Sequence, residues 1–443
     1  MEEFLPTLAV VVGFAWLVLR RLRGMAGIER QLLWLSFVAH QLAGAANVWV
    51  ARDYYGYGDM ISYHHFGVIE AAALRSDFWG IAPSLVGLIL HSQAPIPLPF
   101  EPLASSSGTM QGIAGFCAYF LFDSLHAACA LLAGIAFFSK ISLYTVVREE
   151  FPELSRRSLL VVCTLIPSVV FWTSSLLKEP IAMAALLVAF RAWKDVLARG
   201  LDVRSCGVLL LSLGVILLVK GYLIPPLAIS AGVWYFVRRA REQKEDIVFR
   251  LWHVLVVIAG SAVLVVIVGA FLPSFAVDAL NAQLASNQAA GQTVEGGSNY
   301  SLGAAAGSGS VAAQLALAPL ALATALFRPA LFEARNPLML ANALEMTLFA
   351  VAFIWLPFRR GLASIFSDLF RRPILSFCAV FVVLFGTFTG LGSTNLGTLS
   401  RYRAPLVPFF AILLLALLFP TRQRVTVGVG PSREGVQPLR GIA

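Results

Sequence analysis

The sequence predicts an all-α polytopic membrane protein with about eleven transmembrane helices, plus interfacial and re-entrant helices on the outer face. Three observations lead there. Of 443 residues, 58% are hydrophobic and 13% charged, where soluble domains average roughly 45–50% apolar. Apolar runs close to the roughly 20 residues a bilayer requires recur along the whole chain. The 33 Lys and Arg residues gather in short clusters between those runs, mostly on alternate sides.

Taken in order, the runs lie near 5–19, 31–50, 111–138, 158–176, 180–196, 206–219, 222–237, 251–272, 338–357, 374–392 and 404–420. The first follows an acidic start, MEEFLPTLAV, with no small-residue cleavage site, and reads as a retained helix rather than a signal peptide. Placing RRLRGMAGIER (20–30) in the cytoplasm and alternating sides leaves eight basic residues outside: Arg52, Arg75, Lys178, Lys220, Arg328, Arg335, Arg401 and Arg403. The other 25 of the 33, Lys140 among them, fall on the cytoplasmic side, so the N-terminus is expected outside and the C-terminus inside. VAAQLALAPLALATALF (311–327) is apolar enough to span, but counting it would put the arginines of FRRGLASIFSDLFRRP outside. It reads as part of a re-entrant or interfacial element over 311–334, broken by Pro319 and Pro329.

The chain is thus one membrane domain over 1–420, with outer loops at 51–110 and 273–337 and a basic cytoplasmic tail at 421–443. The first outer loop carries an amphipathic stretch with Phe78 and Trp79, suited to helices lying in the interface plane. The Gly-, Ala- and Ser-rich piece 273–310 reads as a mobile lid. The five cysteines sit inside apolar runs without CxxC spacing, which points to neither a disulfide framework nor a zinc site. No cofactor or nucleic-acid motif is present.

Polar chemistry concentrates at the outer boundaries. In YGYGDMISYHHFG (55–67), Asp59 follows a glycine turn and Tyr63 lies one helical turn on; such an acid at a half-dehydrated boundary suits a general base. His64 and His65 are adjacent, so on a helix they point about 100° apart and do not chelate one metal; they read as ligand contacts or interfacial anchors. The hairpin FWTSSLLKEP places Lys178 and Glu179 at a tip, and Lys220 tops the next one. LFRPALFEARNP brings Arg328, Glu333 and Arg335, and GSTNLGTLSRYRAPLVP brings Arg401 and Arg403. Arginine forks bind phosphate bidentately, and cations that breach the positive-inside bias fit an anionic ligand. Within the runs, Asp123, His126 and Glu345 are ionisable; Asp123 and His126, three apart, have the spacing of a helical pair or proton relay.

An acid in the first outer loop beside a tyrosine (Asp59, Tyr63), interfacial helices after it, many spans and a late RYRAPLVPFF resemble the GT-C superfamily of integral membrane glycosyltransferases. FWTSSLLKEP and the outer arginines are similar to bacterial Wzy-type surface-polysaccharide polymerases. The resemblance implies a GT-C-like fold in a bacterial inner membrane, with Asp59 as base and Tyr63, His64, His65, Lys178, Glu179, Lys220, Arg328, Glu333, Arg335, Arg401 and Arg403 contacting substrate. It implies a polyprenyl-(pyro)phosphate-linked sugar donor, a saccharide acceptor, the lipid bilayer and other polysaccharide-assembly proteins as partners. The competing class is a transporter or flippase of lipid-linked oligosaccharide, which calls for broken helices and ionisable residues along a central path.

Overall fold

The computed structural model describes residues 3–25, 27–92, 105–243, 298–303 and 310–420, with positions 252, 282, 284–286 and 288. The expected span at 251–272 apart from residue 252, about two thirds of the expected lid, and the basic tail lie outside them. Among the described residues the chain is helical throughout, and its single β contact is an isolated bridge between Asn299 and Asn395.

The first apolar runs form α1 (Phe4–Arg21) and α2 (Gly27–Trp49), which continues as a π-helical turn over Val50–Tyr55. Gly56 and Gly58, with φ of 74° and 135°, then reverse the chain into α3 (Asp59–Ser76) through backbone conformations open chiefly to glycine. α4 (Phe78–Ile89) and α5 (Ser106–Phe120) follow, and α6 (Leu125–Glu150) crosses the interior. α7 (Arg156–Thr164) and α8 (Pro167–Trp172) are separated by a break before Pro167. α9 (Lys178–Arg199), α10 (Val203–Lys220) and α11 (Ile224–Glu242) complete the first part. The last part holds α12 (Val311–Phe327), α13 (Pro337–Arg360), α14 (Leu362–Arg371), α15 (Pro373–Gly392), α16 (Leu396–Tyr402) and α17 (Val407–Leu418).

Among the described residues, five helical stretches are long and apolar enough to cross a membrane: α1, α6, the run Val203–Glu242, α13 and α15; α16 and α17, bent by 71°, make a sixth if they count as one. The 40-residue run doubles back on itself. Lys220 in its middle meets Glu179 at the start of α9, while Tyr235 and Arg238 share a pocket with Trp193 and Leu197 near α9's other end. Two expected runs differ from what forms. The 111–138 run is two helices, because Phe122 and Asp123 adopt φ of 53° and 60° and end α5. The 158–176 run is broken at Pro167, which starts α8 where its missing N–H is harmless.

Ion pairs sort the helix ends into two faces. Glu29, Arg148 and Arg156 group at one, with Lys194 on Glu149 and Arg372 on Glu153. Asp59, Glu179, Lys220 and Arg401 group at the other. α12 stays with the second face at both ends. Gln288 bridges Gln314 to the Leu391 carbonyl, and Arg403 binds the carbonyls of Ala325 and Arg328. Pro319 does not break α12, against the expectation from sequence; the helix runs through it to Phe327 and is capped at Arg328.

The largest core cluster holds a nest of aromatic rings. Phe190 stands 5.1 Å from Trp234 and 5.3 Å from Phe409, and Phe381 is 5.0 Å from Phe409. Small residues allow close approach elsewhere, as expected where lipid removes the hydrophobic drive between helices. A Cβ on Gly67 of α3 would fall 2.7 Å from the Ala114 carbonyl carbon of α5. Polar straps reinforce the same layer: Arg75 donates to both Asp123 carboxylate oxygens at 2.9 Å. His126 meets Glu3 instead of Asp123, so the spacing of Asp123 and His126 carries no relay; the turn at 122–123 separates them.

Lys140 is a further correction. Counted with the cytoplasmic cations, it lies in the interior of α6 at 0% exposure. Its Nζ donates to Thr173 Oγ1 at 2.6 Å and meets His40 Nε2 at 2.8 Å, tying α2, α6 and the end of α8 together. Burying a cation is costly unless its donors are met, and these partners meet them.

Glu70 of α3 is also fully buried, packed on Gly115 of α5. Burial pushes its carboxyl up to about 8. A raised acid binds its proton more tightly in the folded state. The folded state therefore loses about 1.4 kcal/mol per pH unit as pH rises from near 4.5 to near 8, and no more above that. Glu70→Gln, which does not titrate, is expected to match wild type in melting temperature near pH 5 and exceed it by pH 8.5. A gap unchanged with pH in thermal unfolding of the detergent-solubilised protein would show that Glu70 ionises normally.

Candidate functional site

The site is assembled from helix ends at one face. Asp59 opens α3, where a carboxylate suits the positive end of the helix, and its side chain stays 49% exposed. Lys178 and Glu179 open α9, and Pro180 in that first turn lacks an N–H that would go unpaired anyway. Lys220 closes α10, and Arg401 lies in the last turn of α16.

These residues form one network. Arg401 Nη1 donates to Asp59 Oδ2 at 2.7 Å, and its Nε lies 3.3 Å from Glu179 Oε1. Lys220 Nζ donates to that same Glu179 oxygen at 2.8 Å and lies 4.7 Å from the Tyr402 ring. Glu179 and Lys220 are buried. Burial raises the Glu179 carboxyl, but Lys220 and Arg401 outweigh it and hold Glu179 below the usual carboxylate range. Lys178 Nζ donates to Ser106 Oγ at 2.8 Å and Ser107 Oγ at 3.2 Å. Tyr63, buried one turn after Asp59, lies near Ser107, and burial raises its hydroxyl's pKa. Lys178, Lys220 and Arg401 against Asp59 and Glu179 leave the cluster one positive charge in excess.

The remaining expected site residues lie apart from this network. His64 Nε2 donates to the Asp123 carbonyl at 2.8 Å, strapping α3 to the α5–α6 turn, and His65 is exposed with its ring against Phe66. Arg328 pairs with Glu333 through Nε at 2.9 Å and stacks on Tyr300, 4.5 Å from the ring centroid; Arg335 is exposed. Arg328 pulls the Glu333 carboxyl below its ordinary value. Arg403 is interior, at 0% exposure. Its fork binds the Ala325 carbonyl at 3.0 Å, the Arg328 carbonyl and Asn342 Oδ1 at 2.8 Å. Those carbonyls are orphans at the end of α12, so Arg403 caps a helix rather than meeting a ligand's phosphate.

A cleft of about 410 Å³ opens beside the network between α2, its π-turn, α8, α13 and α16. Asp59 and Arg401 stand at its mouth. The π-turn, a geometry frequent at functional sites, contributes Val50, Ala51 and Tyr55 to the wall. Phe171 and Trp172 of α8 form another part, and Trp172 Nε1 donates to Ser400 Oγ at 3.0 Å. The cleft follows α13 from Asn336 to Glu345, nine residues or about 13 Å at 1.5 Å per residue. Sequence reasoning noticed Glu345 only as a charge in an apolar run and Trp172 only within FWTSSLLKEP; Ser106 and Ser107 carried no signal beyond composition. Among the described residues no group of three His, Cys, Asp or Glu side chains gathers to hold a metal.

No protein-family profile, curated protein or solved structure matches the chain.

Proposed function

We propose that the chain is a bacterial inner-membrane glycosyltransferase or polysaccharide polymerase, using polyprenyl-(pyro)phosphate-linked sugars at the extracytoplasmic face. The observation that carries this reading is the meeting of Asp59 with Arg401 at the mouth of an interhelical cleft, beside Lys178 and Lys220. Transfer of a sugar breaks the bond between its anomeric carbon and the phosphate oxygen, and the electron pair leaves with the phosphate. Arg401 and Lys178 stabilise that developing charge. The attacking hydroxyl of the acceptor forms the new bond and passes its proton to Asp59. From beside the cleft mouth to past its inner end, α13 presents Leu340, Leu344, Leu348 and Val351 outward, an apolar row along which the polyprenyl chain would lie.

Deleting the gene and analysing lipid-linked saccharides by mass spectrometry tests the reading. Accumulated single repeat units identify a polymerase, and units lacking one sugar a monosaccharide transferase. Intermediates confined to the cytoplasmic leaflet reject both and leave the second reading, a transporter or flippase of lipid-linked oligosaccharide. Two observations favour that alternative: the breaks at α7–α8 and α16–α17, and ionisable Lys140 and Glu345 at membrane depth.

A further inference from the structure

Glu345 lies eight residues inside α13, about 12 Å from its first residue at 1.5 Å per residue. A carboxylate at that depth is costly and marks function by default. It faces the cleft, where its hydrogen-bond partner is neutral and the buried Arg403 guanidinium acts on it without a direct bond: Ser168 donates its backbone N–H to Glu345 Oε2 at 2.8 Å and its hydroxyl to Oε1 at 2.5 Å. Each carboxylate oxygen thus holds one donor and keeps capacity for another. The N–H is free to donate because the chain breaks before Pro167, leaving Ser168 at an unsatisfied helix start.

The surroundings select among ligands. Asn342, one turn before Glu345 on α13, and Asn47 of α2 also line this end of the cleft, and the rings of Phe171 and Trp172 stand in its wall. A hydrogen-bond acceptor, amides and aromatic faces match a polyol, whose hydroxyls donate to the carboxylate while its C–H faces pack on rings. The charge at the mouth has the opposite sign, so the two ends of the cleft suit the two ends of a glycosyl phosphate. An isoprenoid chain fits this floor poorly, since it would desolvate Glu345 without offering a donor.

We infer that the inner end of the cleft is a saccharide subsite in which Glu345 accepts hydrogen bonds from sugar hydroxyls. This rests on the lipid-linked sugar reading above, and it makes Glu345 a binding and positioning residue, not a proton acceptor in the reaction. Ser168 fixes the carboxylate's orientation.

The test uses the full-length protein in nanodiscs and two probes: undecaprenyl phosphate, and the lipid-linked saccharides extracted from the gene-deleted strain. Wild type is expected to bind the saccharide-bearing lipids at least tenfold more tightly than the bare lipid phosphate. Glu345→Gln is expected to lose that discrimination while binding undecaprenyl phosphate within twofold of wild type. Ser168→Ala, which keeps the backbone N–H, is expected to lose part of it. If Glu345 merely caps α8, both variants lower the melting temperature and leave the discrimination ratio unchanged, which overturns the subsite. Discrimination that Glu345→Gln abolishes, in a wild-type protein that turns over neither lipid, sustains the subsite and rejects the transferase. Turnover by wild type with a ratio insensitive to Glu345→Gln does the reverse.

Discussion

Glu179→Gln is expected to destabilise the protein by about 3–5 kcal/mol, the usual consequence of removing one partner from a buried ion pair. Glu179 is the common anion of Lys220 and Arg401, and both it and Lys220 are buried to within 3% exposure. The amide keeps the shape but leaves the Lys220 ammonium in the interior without a counter-charge. The double change Glu179→Gln with Lys220→Met is expected to recover most of the loss, because the uncompensated cation goes with its partner. Thermal or denaturant unfolding in detergent checks both. A single variant as stable as wild type would mean that Lys220 finds another anion, and a double variant no better than the single would place the cost in shape rather than charge.

Asp59→Asn is expected to act in the opposite way, lowering product output by about 10²-fold or more with little change in stability. A positioned general base contributes about 10²–10⁴ in rate, whereas an ion pair as exposed as Asp59 with Arg401 contributes about 0–1 kcal/mol. Output of complemented cells and the melting temperature of the purified variant are the two readouts. Output above about a third of wild type would remove Asp59 from the proton-accepting role. A fall in melting temperature as large as that of Glu179→Gln would recast it as structural.

The charge pattern of the sequence goes far here. Cations expected to break the positive-inside bias marked Lys178, Lys220 and Arg401 in separate segments; Arg401 joins Asp59 to the Glu179–Lys220 pair, and Lys178 stands beside them. What composition cannot register is direction. Arg401 and Arg403 are two positions apart, so at about 100° per residue they leave their turn on nearly opposite sides; one lines the cleft and the other caps α12. Lys140 likewise stood at the edge of an apolar run, where sequence alone does not distinguish a headgroup contact from the His40 and Thr173 interior. Element boundaries failed where the backbone turns through positive φ or at proline, as at Asp123 and Pro167. Continuous hydrophobicity hid both breaks.

Burial within the charged network sets an order of replaceability. Glu179 and Lys220 are sealed behind Arg401, and Asp59 holds it from the open side. An anion that enters the cleft meets a guanidinium whose rear anchor stays fixed, and it can trade places with Asp59 without rebuilding the interior. The arrangement is a socket closed by one removable plug. In the transfer proposed above that plug is the carboxylate that takes the proton, so filling the anion position would also free the base.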